Sequence, residues 1–176
     1  MIPKIVEADS ASHKSYAIYE IETDLGPHYM RVERSPAKNE DRMVIVVDSS
    51  RFLGIWKHKL ATSDPVNWAR VPGFADVQKR FVTSKKRPVR LARAEIRRNF
   101  LVALFARLIA AFKLERTIHS RDLTIVEGER RTLWLLANGA ATFPLECATR
   151  YAAELHRMIG VASIPPVSVE SLTSTH

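Results

Sequence analysis

The stretch Leu-Thr-Ile-Val-Glu-Gly-Glu-Arg-Arg-Thr-Leu-Trp-Leu-Leu-Ala-Asn-Gly, residues 123–139, decides the fold that the sequence predicts. It opens with a short apolar run containing β-branched side chains, which is typical of a strand. Glu127-Gly128-Glu129 then predicts a sharp turn, and the residues after it carry apolar side chains at helical spacing. Asn138-Gly139 is a common helix stop. The stretch therefore predicts a strand, a turn and a helix in direct succession.

Two arginines, Arg130 and Arg131, stand in the first turn of this predicted helix. The first N–H groups of a helix have no partner within the helix, and the positive end of its dipole lies at the same place. A glycine at the turn lets a ligand approach the backbone closely. Gly128, Arg130 and Arg131 therefore predict a phosphate or nucleotide site.

Two carboxylates, Glu127 and Glu129, flank the glycine of the turn. They could bind Mg²⁺ or another divalent metal and orient a water, while Arg130 stabilises the charge that develops during phosphoryl transfer. Glu127, Glu129 and Arg130 are thus the candidate catalytic residues, and Asp122 is a weaker third metal candidate. Structural interpretations stay open: Arg131 could pair with Glu127 across the turn, and Glu129 could be a first-turn carboxylate that the helix dipole favours.

The positive charge of the chain is concentrated in residues 79–98. This segment holds nine Lys or Arg residues and one acid, Glu95, whereas the whole chain has a formal charge of +8. A localised basic segment predicts a polyanionic partner such as DNA, or else an acidic protein or a membrane surface. A solvated basic face without a partner is the alternative. The candidate DNA-binding residues are Lys85, Lys86, Arg87, Arg90 and Arg93.

The rest of the chain predicts both strands and helices. We expect a flexible N-terminus at 1–14, a single domain at 15–162 and a disordered tail at 163–176. Pro144 argues that its strand is an edge strand or ends there. The predicted elements are a hairpin at 16–33, a buried strand at 43–47 with Asp48 as the N-cap of a helix at 49–60, a short helix at 74–81, a strand at 141–147 and a last helix from 149 to 160.

Residues 94–112 predict a long helix that is apolar almost all round. A buried helix is favoured because the uninterrupted apolar run is shorter than a membrane span and Arg107 interrupts it; a span is the alternative. A brief strand is predicted at 87–93, and residues 114–119 are expected to pair with 123–126.

Other chemistries find no support in the sequence. The single cysteine, Cys147, fits a reducing cytoplasm, and the N-terminus lacks the apolar segment of a signal peptide. The histidines show no metal-ligand spacing, and no Walker-type loop or Ser/His/Asp site is evident. The turn at Gly128 is therefore the predicted chemical centre.

Residues 125–146 resemble the central box of the ParB/sulfiredoxin superfamily: a strand, Gly-x-Arg-Arg opening a helix, a glycine, and a strand containing a proline. Residues 43–57, an apolar strand, Val-Asp and a helix with a central tryptophan, are similar to the plasmid fertility-inhibition branch. Sulfiredoxin itself has a cysteine where this chain has Glu129. ParB proper has a helix-turn-helix domain after the box, whereas 30 residues follow Glu146 here.

The resemblance implies a mixed α/β fold, α+β in type: a ParB/sulfiredoxin-like fold with a small mixed sheet packed by helices and its phosphate site at Gly128–Arg131. It further implies ATP hydrolysis, DNA cleavage, and inhibition of conjugative or T-DNA transfer through a type IV secretion system. The implied partners are DNA and the coupling ATPase or the transferred DNA–protein complex, at the cytoplasmic face of the inner membrane. The alternatives are a non-catalytic binding inhibitor of the same machinery and a ParB-like nucleotide-dependent DNA-binding protein, with CTP in place of ATP.

Overall fold

The computed structural model describes residues 2–9, 15–34, 41–56, 85–98 and 121–174. Within these ranges the chain forms two sheets, and their buried side chains belong to one hydrophobic cluster together with those of the helices. The first sheet has the strand order β1-β2-β3-β5 and the second has the order β7-β6-β8-β4-β9. The strands are β1 (Lys4–Asp9), β2 (Tyr16–Thr23), β3 (Gly26–Glu33), β4 (Arg42–Asp48), β5 (Val89–Arg90), β6 (Ala92–Arg98), β7 (Arg121–Glu127), β8 (Thr142–Ala148) and β9 (Val167–Ser168). The helices are α1 (Ser49–Trp56), α2 (Glu129–Ala137), α3 (Thr149–Ile159) and α4 (Val169–Thr173).

The mixed α/β fold is confirmed, and so is the predicted hairpin. β2 and β3 pair antiparallel from Tyr16↔Glu33 to Thr23↔Gly26. Alternate side chains such as Tyr19 and Met30 point into the core because a strand presents successive residues to opposite faces. The residues between them, such as Glu20 and Arg31, lie on the opposite face of the first sheet, where Ile18 is buried as well.

The buried strand that runs into a capped helix is also confirmed. Val44–Val47 of β4 are all buried, as expected for a strand covered on both faces. The Asp48 Oδ1 accepts hydrogen bonds from the N–H groups of Ser50 at 2.9 Å and Arg51 at 3.0 Å, so it caps α1. These hydrogen bonds hold the pKa of Asp48 below its usual value. Residues 57–60, at the predicted end of this helix, lie outside the described residues, as does the predicted helix at 74–81.

The placement of Pro144 on an edge strand was wrong. β8 is the central strand of the second sheet and pairs with β4 antiparallel and with β6 parallel. Pro144 faces Val46 of β4, whereas β6 begins to pair only at Leu145. The proline is tolerated because, at its own position, the strand has a neighbour on one side within the described residues.

The predicted helix at 94–112 is wrong over its first five residues, because residues 94–98 belong to strand β6. Ala94 and Ile96 are buried while Glu95 between them is partly exposed, a period of two that fits a strand rather than a helix. β6 pairs with β7 antiparallel and with β8 parallel. The remaining residues, 99–112, lie outside the described part, as do 114–119, the predicted partner of β7. In the described ranges, no helix has both the length and the hydropathy to cross a membrane.

Both chain ends contain ordered structure where flexibility or disorder was expected. Residues 4–9 form β1, which pairs antiparallel with β2 as the edge strand of the first sheet. The expected disorder at 163–176 is contradicted by β9, which pairs with β4, and by the short helix α4. Val169 and Leu172 of α4 are buried, so the apolar residues near the end of the chain contribute to the core.

The hairpin of the first sheet docks on the C-terminal end of α2. The N–H of Asp24 donates to the carbonyl of Asn138 at 2.9 Å. Gly139 has φ +74°, a conformation that favours glycine, and a Cβ there would only displace the flexible carboxylate of Asp24. The His28 ring lies against the Trp134 indole with 4.2 Å between the ring centroids. These contacts fix the helix that carries the predicted site.

His28 predicts an acid-sensitive fold. Both ring nitrogens are buried without a hydrogen-bond partner among the described residues, and burial lowers the pKa of His28 below its usual 6.5. Below pH 6.5 the unfolded chain therefore gains a proton that the folded chain resists, and stability falls by up to about 1.4 kcal/mol per pH unit until the folded-state pKa is reached. Urea unfolding of the wild type between pH 5 and 7.5 should show this loss, and His28→Phe should flatten it. A pH dependence that is unchanged in His28→Phe would contradict the assignment.

Candidate functional site

The turn between β7 and α2 is built by a left-handed glycine. Gly128 has φ 82° and ψ 21°, a conformation that L side chains rarely adopt. A Cβ on Gly128 would lie 2.9 Å from both Cα and Cβ of Ala92, so the missing side chain makes room for β6. The glycine is thus explained by chain geometry and packing, independently of any ligand.

The first turn of α2 has free backbone donors. The first intrahelical bond runs from the N–H of Thr132 to the carbonyl of Gly128 at 3.0 Å, and the N-cap residue Gly128 has no side chain that could cap the helix. The N–H groups of residues 129–131 precede that bond and point out of the helix end. Together with the helix dipole, this end suits an anion.

The two arginines of the turn differ sharply in their surroundings. Arg131 bends back, so that its Nη1 donates to the carbonyl of Arg90 at 2.5 Å and its Nη2 lies 3.5 Å from Glu127 Oε1. Its burial lowers the pKa, which the Glu127 carboxylate opposes. Arg130 is exposed and forms no ion pair with another described residue. The structural contact between Arg131 and Glu127 is therefore present, and Arg130 is the arginine free to meet a ligand.

The two candidate metal-binding carboxylates are both exposed. Glu127 has an exposed fraction of 60%, and Glu129 is the first residue of α2, where a carboxylate favours the helix dipole. The side chain of Asp122 lies outside the described residues. Among the side chains that are described, no group of three His, Cys, Asp or Glu residues could hold a metal. The metal site stays a prediction that rests on two carboxylates.

The structure brings the basic segment and the turn together. Besides the bond from Arg131 to Arg90 and the contact of Gly128 with Ala92, Arg93 lies opposite Glu127 in the pairing of β6 with β7. The basic segment and the turn, which are separate in the sequence, are thus neighbours in the fold, because β5 and β6 run beside the start of α2.

The basic segment carries less free charge than its sequence indicates. Lys85 pairs with Glu7 at 3.5 Å, Arg90 with Glu33 at 2.6 Å, and Arg93 lies 3.8 Å from Glu95. Lys86 and Arg87 are exposed and have no ion pair with another residue of the described part. Counting charges along the segment missed Glu7 and Glu33 because these acids arrive from β1 and β3.

A buried charge pair lies close to this region and was not predicted. Arg42 of β4 donates to Glu146 of β8, and both side chains are largely buried, with exposed fractions of 14% and 11%. Cys147, next to Glu146, is fully buried, and burial raises the pKa of its thiol to about 12. The thiol is therefore protonated and inaccessible at neutral pH. Glu146 is the only charged residue of β8, and a single carboxylate within this otherwise uncharged strand is the sequence signal that could have pointed to it.

Comparison with known proteins identifies the family. The family model described as plasmid fertility inhibition factor matches residues 44–160, which include the turn at Gly128. The fold is similar to the crystal structure of Oncogenic Suppression Activity Protein, a plasmid fertility inhibition factor, solved as its gold(I) cyanide derivative. The TM-score is 0.68 at 19% identity, over 98% of this chain and 81% of that one. No curated protein was found to match. The chain belongs to the plasmid fertility inhibition factor family, as its central box and its β4–α1 unit predicted.

Proposed function

We propose that this fertility inhibition factor blocks conjugative or T-DNA transfer through a type IV secretion system by hydrolysing ATP and cleaving DNA at the Gly128 turn. The observation that supports the chemistry is the exposed Arg130 at the uncapped start of α2, beside the basic strands β5 and β6. This arrangement offers backbone N–H groups and one free guanidinium to a single phosphate.

The residues at the turn have complementary roles in this proposal. Arg130 binds the phosphate in a bidentate manner and stabilises the charge that develops on its oxygens. Glu129 accepts a hydrogen bond from the attacking water. Glu127 pairs with Arg131 and is also exposed to solvent. Mg²⁺, when bound by Glu127 and Glu129, would supply Lewis acidity; two carboxylates suit this ion because it keeps several waters and also binds substrate phosphates.

The partners follow from the same proposal. Lys86 and Arg87 extend the positive surface beyond the turn and would contact the phosphates of DNA. We place the protein in the bacterial cytoplasm, at the inner membrane where the coupling ATPase or the transferred DNA–protein complex would be its target.

A non-catalytic inhibitor is the second candidate, and a specific observation favours it. Gly128 is required by its φ and by Ala92, and Arg131 is bonded to Arg90 and Glu127. Folding alone thus explains both Gly128 and Arg131, without a ligand. In this second candidate function, the protein blocks the coupling machinery by binding to it.

Direct assays of the wild-type protein separate these functions. Plasmid nicking and phosphate release from ATP and CTP would be measured with Mg²⁺ and with EDTA. Nicking and ATP hydrolysis that both stop in EDTA are expected for the proposed enzyme. Protein that does neither but still inhibits transfer between cells would establish the non-catalytic inhibitor, and a preference for CTP without nicking would indicate a ParB-like DNA-binding protein.

A further inference from the structure

Glu33, the last residue of β3, is the meeting point of three arginines from three strands. Its Oε1 lies 2.8 Å from Nη2 of Arg31, and its Oε2 lies 2.6 Å from Nη2 of Arg90. The backbone carbonyl of Glu33 accepts a third bond, at 2.6 Å, from Nη2 of Arg42. The Glu33 side chain is only 17% exposed, whereas those of Arg31 and Arg90 are 38% and 63% exposed. A shielded carboxylate therefore holds two solvent-facing guanidinium groups.

The strand register forces these two arginines together. β3 and β5 are parallel, and Arg31 is directly opposite Arg90, so the two side chains leave the same face of the first sheet. Like charges directly opposite each other on neighbouring strands repel. Arg131 lies nearby as a third positive charge: besides burial, the positive charge of Arg90 lowers the pKa of Arg131. An anion between Arg31 and Arg90 offsets this repulsion, and in the folded chain that anion is the Glu33 carboxylate.

We propose that Arg31 and Arg90 form a binding site for a phosphate of the DNA backbone, and that the Glu33 carboxylate is its built-in competitor. The inference rests on the proposed function in taking DNA as the polyanion. Its chemistry is that of any arginine pair, because a phosphodiester offers two charged oxygens just as a carboxylate does. Arg31 then joins the DNA-contacting residues, although it lies far from the basic segment in sequence.

The location of the pair supports this role. The main chain of Arg90 is bonded to Arg131, so the pair lies beside the turn at Gly128. A strand of DNA whose phosphate enters the turn could place a neighbouring phosphate on the pair. The two guanidinium groups are accessible to a phosphate because they are 38% and 63% exposed, whereas the Glu33 carboxylate, 17% exposed, would lose its partners in the exchange. That cost is what makes Glu33 a competitor of the phosphate.

Glu33→Gln tests the inference, with Glu20→Gln as its matched control. Glu20 lies on the same face of the first sheet and its removal changes the net charge equally, but it is hydrogen-bonded to Tyr29 rather than to an arginine. Binding of a fluorescent 12-nucleotide oligo(dT) would be measured by anisotropy in EDTA, so that no cleavage occurs. At low salt, Glu33→Gln should bind about tenfold more tightly than Glu20→Gln. Its slope of log affinity against log salt should steepen by about 0.7, the value for one added phosphate contact on a single strand.

A second substitution assigns the gain to the arginines. Arg90→Gln in the Glu33→Gln background should abolish most of the tightening. Glu33→Asp keeps the charge but is one methylene too short to hold both arginines, so this variant should bind the oligonucleotide more tightly than the wild type. It replaces Glu33→Gln in the test if Glu33→Gln does not fold. Equal affinities of Glu33→Gln and Glu20→Gln, or no gain in Glu33→Asp, would overturn the inference.

The outcome is independent of the proposed enzyme activity. Tighter binding by Glu33→Gln together with a wild type that neither nicks DNA nor hydrolyses ATP would support the anion site and refute the hydrolase. A wild type that nicks plasmid DNA, with no difference between the two glutamine variants, would support the hydrolase and refute the anion site.

Discussion

Replacing Arg42 with methionine is expected to lower the free energy of unfolding by about 3 kcal/mol or more, because it leaves the buried Glu146 carboxylate without its partner. Arg42 Nη1 donates to Glu146 Oε1 at 2.5 Å, and the two side chains are only 14% and 11% exposed. The same substitution also removes the bond from Arg42 to the carbonyl of Glu33.

A double-mutant cycle distinguishes the loss of a partner from the loss of packing. Glu146→Leu combined with Arg42→Met replaces the pair by apolar side chains, which is often neutral or even stabilising for a buried ion pair. Urea unfolding of the four proteins should therefore place the double variant near the wild type and well above Arg42→Met. A double variant no more stable than Arg42→Met would show that the charge of Glu146 is not the source of the cost.

This pair also connects the two sheets. Arg42 begins β4 of the second sheet, and its other bond reaches the end of β3 in the first sheet. The residue it reaches is Glu33, the counterion of Arg31 and Arg90. The buried pair therefore fixes the strand end on which the proposed anion site depends, and Arg42→Met should loosen that site as well as the core.

The strand, turn and helix at the centre of the chain were predictable because every signal for them is local. One short stretch contains the apolar run, the glycine of the turn and the Asn138-Gly139 helix stop. The observed β7, Gly128 turn and α2 agree closely with the elements that these signals predict. β6 was missed because its alternation continues directly into an apolar stretch with helical spacing. What selects a strand at residues 94–98 is pairing with β7 and β8, which come later in the chain.

The distribution of charge at the candidate site could not be obtained from the sequence. Arg130 and Arg131 are adjacent and chemically identical, yet the carbonyl of Arg90 binds one of them and leaves the other exposed. Glu7 and Glu33 neutralise the basic segment only because sheet pairing delivers them there. Such partners depend on strand order, which a count of charges along the chain does not contain.

Arg130→Ala is expected to reduce both ATP hydrolysis and plasmid nicking by about 10² to 10³-fold, the usual effect of removing one charge-stabilising donor from a transition state. The fold should be unaffected, because Arg130 is exposed in the first turn of α2 and alanine is a good helix former. Glu129→Ala should also lower both activities by removing the group that orients the water. Initial rates of phosphate release and of nicking, with urea unfolding on the same samples, provide the measurement.

Arg150→Ala is the matched control for this loss. Arg150 is the second residue of α3, as Arg130 is of α2, and it is likewise exposed at a helix start without a side-chain cap. It is remote from the turn in sequence and stacks on the ring of Tyr151. Arg131→Ala should behave differently again, lowering stability as well as activity, because the carbonyl of Arg90 loses its donor. Full activity in both Arg130→Ala and Glu129→Ala, with Arg150→Ala also unchanged, would exclude the turn as the catalytic site. The reason is that the free N–H groups of α2 cannot by themselves orient a water or supply a guanidinium.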